Sequence, residues 1–190
     1  AFCCTGRLYI IPPLTLPLPR RGPQPNPALR SPRPISSFSA QPAFVFEIAP
    51  EEFDLDVTFA SGQLFRWSPV RPGCWEGPLG GALVRMERDG PSVAVWSAET
   101  ALSRTDIARF LRLDTSLSDV RADIVERDRT MDALFDEYRG LRVLSQPPIE
   151  CLLSFVCSSA TSIARIRWSV DELCRRFGDG GAASFPDLLA

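Results

Sequence analysis

The spacing of apolar residues changes character once along the chain. Between residues 53 and 97 apolar side chains come in short runs, broken by turn residues at Ser61-Gly62, Gly77, Gly80-Gly81 and Asp89-Gly90. From Ser103 onward they recur every three or four residues. The first pattern is that of antiparallel strands joined by tight turns, and the second that of helices packed through one face. Strands first and helices after is an α+β arrangement. With 45% apolar and 23% charged residues, the chain has the means to build an ordinary packed core.

The individual expectations follow from this pattern. Phe53, Leu55, Val57 and Phe59 alternate with Asp54, Asp56 and Thr58, which predicts a strand with one buried face. Leu64 to Trp67 reads as a second strand and Pro69 to Gly73 as a loop. Runs around Trp75, Leu83–Met86 and Val93–Trp96 complete a sheet of four or five strands. Ser103 and Asp106 have the spacing of a capping box. Asp128 is placed to cap a helix carrying Met131, Leu134, Phe135 and Tyr138, which Gly140 stops. Pro148 suits the first turn of a helix over 149–158, apolar almost all round and so expected to be central and buried. Ser162 caps a last helix with Ile163, Ile166, Val170, Leu173 and Phe177 on one face, ended by Gly178.

Residues 1–43 differ in kind. They hold ten of the 18 prolines and five arginines without an acid. Such a stretch cannot form a core and is expected to be a disordered tail, with a transit peptide as the other reading. No initiator methionine is present, and Pro186-Asp187 resembles the opening of a helix cut short. The chain is therefore expected to be a fragment, with helices that would cover 149–158 missing. No run is long and apolar enough for a membrane-spanning helix.

Two residue types are absent, histidine and lysine; all 21 basic residues are arginine. This excludes histidine-based acid–base chemistry and any lysine nucleophile from these residues. Cys3, Cys4, Cys74, Cys151, Cys157 and Cys174 form no C-x-x-C pair, so no metal site is expected. Cys151, Cys157 and Cys174 are expected to behave as small buried hydrophobes in a reducing compartment. Residues 44–190 carry 16 arginines against 23 acids, a net −7, which by itself argues mildly against nucleic acid as a partner.

Two segments are distinctive: Ser61-Gly62-Gln63-Leu64-Phe65-Arg66-Trp67 with Trp75-Glu76-Gly77, and the run from Tyr138 to Ser159 continuing to Ile163-Ala164-Arg165-Ile166. Together they resemble the 8-oxoguanine DNA glycosylases of the helix-hairpin-helix superfamily, over roughly residues 53–190. The resemblance implies a sheet domain similar to half of a TATA-binding protein over 44–127, and the start of a helical glycosylase domain over 128–190. It also implies a monomeric, intracellular enzyme of base excision repair, acting without a cofactor on double-stranded DNA containing 8-oxoguanine. The damaged base is flipped from the stack before its glycosidic bond is cleaved. The family nucleophile is a lysine, which forms a Schiff base and permits strand cleavage. Neither it, its assisting aspartate nor the hairpin lies in this chain, so the chain alone is expected to be inactive.

By the same resemblance, Gly62 offers its carbonyl to the N7–H of 8-oxoguanine, where guanine has only a lone pair. Gln63, Phe65, Arg66 and Trp67 support the pocket wall, with Phe65 and Trp67 read as core before base-stacking groups. Arg66 is read either as paired with an acid or as an ordinary surface arginine. Arg165 matches an arginine that contacts the cytosine left behind. Ala160 departs from the family pattern: asparagines are common there, and alanine cannot bond a base edge. Asp128, Gln146 and Glu150 are read as structural. Two competing expectations remain, an alkylated-base glycosylase and a non-catalytic DNA-binding module.

Overall fold

The computed structural model describes residues 38–98, 102–159, 161–178 and 185–186. The expectations for residues 1–37, for Ala160 and for the chain end at 187–190 lie outside the described residues.

Five strands form one antiparallel sheet in the order β1-β5-β4-β3-β2: β1 (Phe44–Glu47), β2 (Ser68–Arg71), β3 (Cys74–Leu79), β4 (Ala82–Asp89) and β5 (Ser92–Ser97). Ala82, Val84 and Met86 of β4 and Val93 and Val95 of β5 point to the same buried face. On the other face Arg85 pairs with Glu76 across the ladder at 2.5 Å. This is the alternation of a sheet covered on one side. The covering comes from α1 (Leu55–Ala60) and α2 (Arg104–Phe110), which bring Leu55, Phe59, Ile107 and Phe110 into the core. Phe59 stands at its centre, edge-on to Trp67 at 4.8 Å and to Trp75 at 5.7 Å, while Trp67 stacks on Phe110 at 5.8 Å. Such aromatic pairs each add about 0.5–1.5 kcal/mol beyond their buried area.

Several sequence expectations are corrected. Phe53 to Phe59 is not a strand: Asp54 caps α1, accepting from Val57 N at 2.8 Å, and Leu55, Thr58 and Phe59 share its buried side. A seven-residue segment is short enough to fit either period, and here the cap decides between them. Leu64–Trp67 is irregular, and the strand begins one residue later, where a loop is expected. All four residues of β2 are exposed, and its Pro69 sits beside a register shift, as suits an edge strand.

Four further helices are α3 (Leu117–Arg127), α4 (Asp132–Glu137), α5 (Pro148–Cys157) and α6 (Ile163–Phe177), with a 3₁₀ turn at Arg129–Met131 before α4. The caps expected at Ser103 and Ser162 are in place, and Gly178 ends α6; Asp128 caps the 3₁₀ turn, while α4 itself starts at Asp132 without a side-chain cap. Neither β1 nor α3 is signalled by periodicity; α3 buries no residue and so has no apolar stripe to read. The helix at 149–158, expected to be central and buried by helices missing from this chain, is open among the described residues. Of α5 only Ser154 is buried, and Leu152, Phe155 and Val156 are more than half exposed. With α5 open, Cys151 is exposed and Cys157 and Cys174 half-buried; Cys74 in β3 is the buried thiol among the described cysteines. No described helix is long and apolar enough to cross a membrane.

Gly140 does more than stop α4. It has φ +76°, and a Cβ there would lie 2.5 Å from both Asp54 N and Pro50 O. Its carbonyl accepts from Asp54 N at 2.8 Å, which fixes the chain after α4 against the start of α1. Gly140→Ala is expected to combine left-handed strain with a backbone collision, each costing about 1–3 kcal/mol. Urea denaturation is expected to show a loss of at least about 2 kcal/mol, and a loss below about 0.5 kcal/mol would contradict the packing described.

Candidate functional site

The site is a turn braced from behind by residues 140–144. Thr58, fully buried on α1, donates its hydroxyl to Gly140 O at 3.2 Å and accepts from Arg142 N at 3.2 Å. Ser61, just past α1, donates its hydroxyl to Thr58 O at 2.7 Å. Gly62 follows at φ +92°, exposed, in a left-handed conformation that glycine adopts at least cost. Nothing lies within 4 Å of where its Cβ would be, so the turn opens outward.

Gln63 turns back toward the protein. Its Nε2 donates to Arg142 O at 2.7 Å and to Ser61 Oγ at 2.9 Å, and its Oε1 accepts from Leu144 N at 2.9 Å. Leu64 and Trp67 are buried in the core, whereas Phe65 is half-buried beside the turn. Of the two residues read as core, Trp67 is so placed and Phe65 only in part. The charge of Arg66 acts on Glu150 of α5 and Asp171 of α6. Burial pushes both carboxyls up, and Arg66 opposes that shift in each. Arg66 is half-buried, which departs from the reading of an ordinary surface arginine. The Arg66 guanidinium also lies 5.7 Å from the centre of the Phe185 ring.

Two residues essential to this arrangement carry no sequence signal. Arg142 is only 3% exposed. Its guanidinium donates to Glu52 O at 2.5 Å, Arg112 O at 2.5 Å and Thr115 O at 2.8 Å, and meets Glu52 Oε2 at 3.0 Å. Glu52 in turn accepts from Leu117 N, Ser118 N and Ser118 Oγ at the start of α3. A buried arginine is legible only from its partners, and these are 27 to 90 residues away in sequence. Asp56, read as the solvent face of a strand, instead accepts from Gly73 N at 2.9 Å and Trp75 Nε1 at 2.6 Å, tying α1 to β3.

Arg165 belongs to α6 and is exposed. On exposed α6 its guanidinium sits 4.5 Å from the centre of the Trp168 ring, and Trp168 is itself half exposed. A guanidinium over an indole face is attracted by the ring quadrupole. Among the described residues no group of histidine, cysteine, aspartate and glutamate side chains is arranged to hold a metal ion.

Burial pushes the Glu52 carboxyl up, but the Ser118 hydroxyl, the Leu117 and Ser118 N–H groups and the Arg142 charge outweigh it and hold the pKa below the ordinary value. A carboxyl with a depressed pKa in the folded state stabilises fully above its unfolded pKa, near 4.5, and loses that contribution as pH falls through the lower folded value. Glu52→Gln is therefore expected to lower stability at pH 7 and to flatten the loss of stability below about pH 4.5. Thermal melts across pH 2.5–7 check this, and parallel wild-type and variant curves would contradict it.

Comparison with known proteins bears on this geometry. A family model described as 8-oxoguanine DNA glycosylase, N-terminal domain, matches residues 45–152. The N-glycosylase/DNA lyase OGG1 of Arabidopsis thaliana is 33% identical over 133 residues, which cover 67% of this chain and 36% of that protein. The N-glycosylase/DNA lyase of Saccharomyces cerevisiae is 35% identical over 77 residues, 40% of this chain and 20% of that protein. The chain thus matches about a third of the length of the first relative and a fifth of the second. The apo form of Clostridium acetobutylicum 8-oxoguanine glycosylase/lyase superposes with a TM-score of 0.65 at 24% identity, over 72% of this chain and 50% of that one. The same bacterial protein in complex with double-stranded DNA containing cytosine opposite 8-oxoguanine gives 0.63 at 23% identity, over 72% and 49%. At these identities the two structures speak to the fold.

Proposed function

The chain belongs to the family of the 8-oxoguanine DNA glycosylase N-terminal domain, and on that footing we propose that it is the lesion-reading part of an N-glycosylase/DNA lyase that removes 8-oxoguanine from duplex DNA. The single observation that carries this reading is the Gly62 turn: exposed, left-handed, and braced on the protein side by Ser61 and Gln63. A main-chain carbonyl presented there accepts the N7–H of 8-oxoguanine. Guanine offers a lone pair at N7, so the same carbonyl meets repulsion and an unmade bond, at about 1–3 kcal/mol. One acceptor thereby separates the two purines once the base is flipped out of the stack.

The half-buried Phe65 forms the flank of the slot. Arg165, exposed on α6 against the Trp168 ring, donates to the cytosine left unpaired. No lysine occurs among the 190 residues, so the amine nucleophile comes from sequence outside them, and these residues by themselves do not break the sugar linkage. The exposed face of α5 is where the remainder of the full protein packs. The working form is a monomer on DNA inside the cell. The alkylated-base reading is not favoured, since the relatives at 33% and 35% identity are N-glycosylase/DNA lyases.

Labelled duplexes containing 8-oxoguanine opposite cytosine test the proposal. The full-length protein is expected to excise the lesion and to leave a guanine·cytosine control intact, while the 190-residue chain is expected to be inert. Gly62→Ala, strained at φ +92°, is expected to lower excision about tenfold or more through displacement of the carbonyl. Lesion excision by the 190-residue chain, or equal treatment of guanine and 8-oxoguanine by the full protein, would contradict the proposal.

A further inference from the structure

Discrimination by one carbonyl requires that the carbonyl stay where it is. Between Ser61 and Trp67 the chain has no regular secondary structure to hold it. The Gln63 amide supplies the missing ladder. It offers a donor to the carbonyl of Arg142 and an acceptor to the N–H of Leu144, at 2.7 and 2.9 Å, as a backbone amide of a neighbouring strand would. Its second hydrogen goes to Ser61 Oγ. The orientation is unambiguous: exchanging nitrogen and oxygen would set Nε2 against the Leu144 N–H and Oε1 against the Arg142 carbonyl.

We propose that Gln63 is a positioning residue for lesion choice, which fixes the Gly62 carbonyl by splinting its turn to the backbone of residues 142–144 and does not itself touch the base. This rests on the role given to Gly62 above. Both amide hydrogens are committed to the protein, so reading a base edge would require breaking a bond to Arg142 or Ser61. The splint has a firm abutment. Arg142 is held by Thr58 through its N–H and by Glu52, Arg112 and Thr115 through its guanidinium. A continuous path of polar contacts therefore runs from the start of α3 through Glu52, Arg142 and Gln63 to Ser61, the residue before Gly62.

The test uses the full-length protein with Gln63→Glu and Gln63→Met, both close to glutamine in shape. Glutamate keeps the acceptor for Leu144 but sets a carboxylate oxygen against the Arg142 carbonyl; methionine removes both bonds. Three quantities are read for each: 8-oxoguanine excision, strand cleavage at a preformed abasic site, and hydrogen exchange at the Leu144 amide. Abasic-site cleavage needs no base recognition and so reports whether the variant is folded and holds DNA.

The ratio of excision to abasic-site cleavage is expected to fall about tenfold in both variants, the size of one lost buried hydrogen bond. Exchange at Leu144 is expected to quicken in Gln63→Met. If the two activities fall together, or neither changes, Gln63 has no part in lesion choice and the inference is overturned while the proposed function stands. If the ratio falls in Gln63→Met with Leu144 exchange unaltered, the side chain acts on the base directly and the splint is likewise overturned. A wild-type protein that cleaves abasic sites but spares 8-oxoguanine would overturn the proposed function, and the inference with it.

Discussion

The buried guanidinium of Arg142 is the constraint on which the arrangement depends. Removing a charge from water costs several kcal/mol, and the cost is tolerable only if nearly every donor is used. Arg142 meets that condition with three main-chain carbonyls and the Glu52 carboxylate. Those acceptors belong to the segment before α1, to the loop after α2 and to the approach to α3. One side chain therefore fixes three stretches of chain that have no ladder or helix in common. Burial lowers its pKa and Glu52 opposes that, and a guanidinium remains charged throughout.

From that point the order propagates outward. The segment 140–144 is bound to α1 by Thr58 and by the Asp54 N–H, and to the core by Leu144. The core itself is an aromatic cluster around Phe59, to which α1, β3 and α2 all contribute. The residues after Gly62 are tied to both, Gln63 to the backbone of 142–144 and Leu64 and Trp67 to the core. The residues of the Gly62 turn have no regular structure of their own and are tied in through the Ser61 hydroxyl and the Gln63 amide. This is a general solution for a recognition element: an irregular, outward loop whose geometry is imposed by a rigid frame behind it.

Much of the frame is legible in the sequence. Glycine-punctuated runs reveal β3, β4 and β5, and serine caps with helical spacing reveal α2 and α6, because these features are local. The failures share a cause. Phe53–Phe59 is short enough to fit a strand or a helix, and Asp54 decides only once it is seen to cap. Helix α3 buries nothing, and its first N–H groups are met by Glu52, 65 residues earlier. Arg142 and Gln63 are polar residues whose importance comes from partners far along the chain, and no periodicity marks them. The apolar character of α5 is plain in the sequence, but apolarity says only that a face is to be covered, not what covers it; here Phe155 is 74% exposed. At the candidate site, Gly62 stands out through the family resemblance of its neighbours, while the means of holding it became visible only in three dimensions.

A crystal structure of the full-length protein with a duplex containing 8-oxoguanine opposite cytosine tests the central claim most directly. The expected result is a Gly62 carbonyl oxygen about 2.7–3.2 Å from N7 of an extruded 8-oxoguanine, with the Gln63 amide still on the Arg142 carbonyl and the Leu144 N–H. A base lodged elsewhere, or a Gln63 side chain swung from Arg142 onto the lesion, would contradict it.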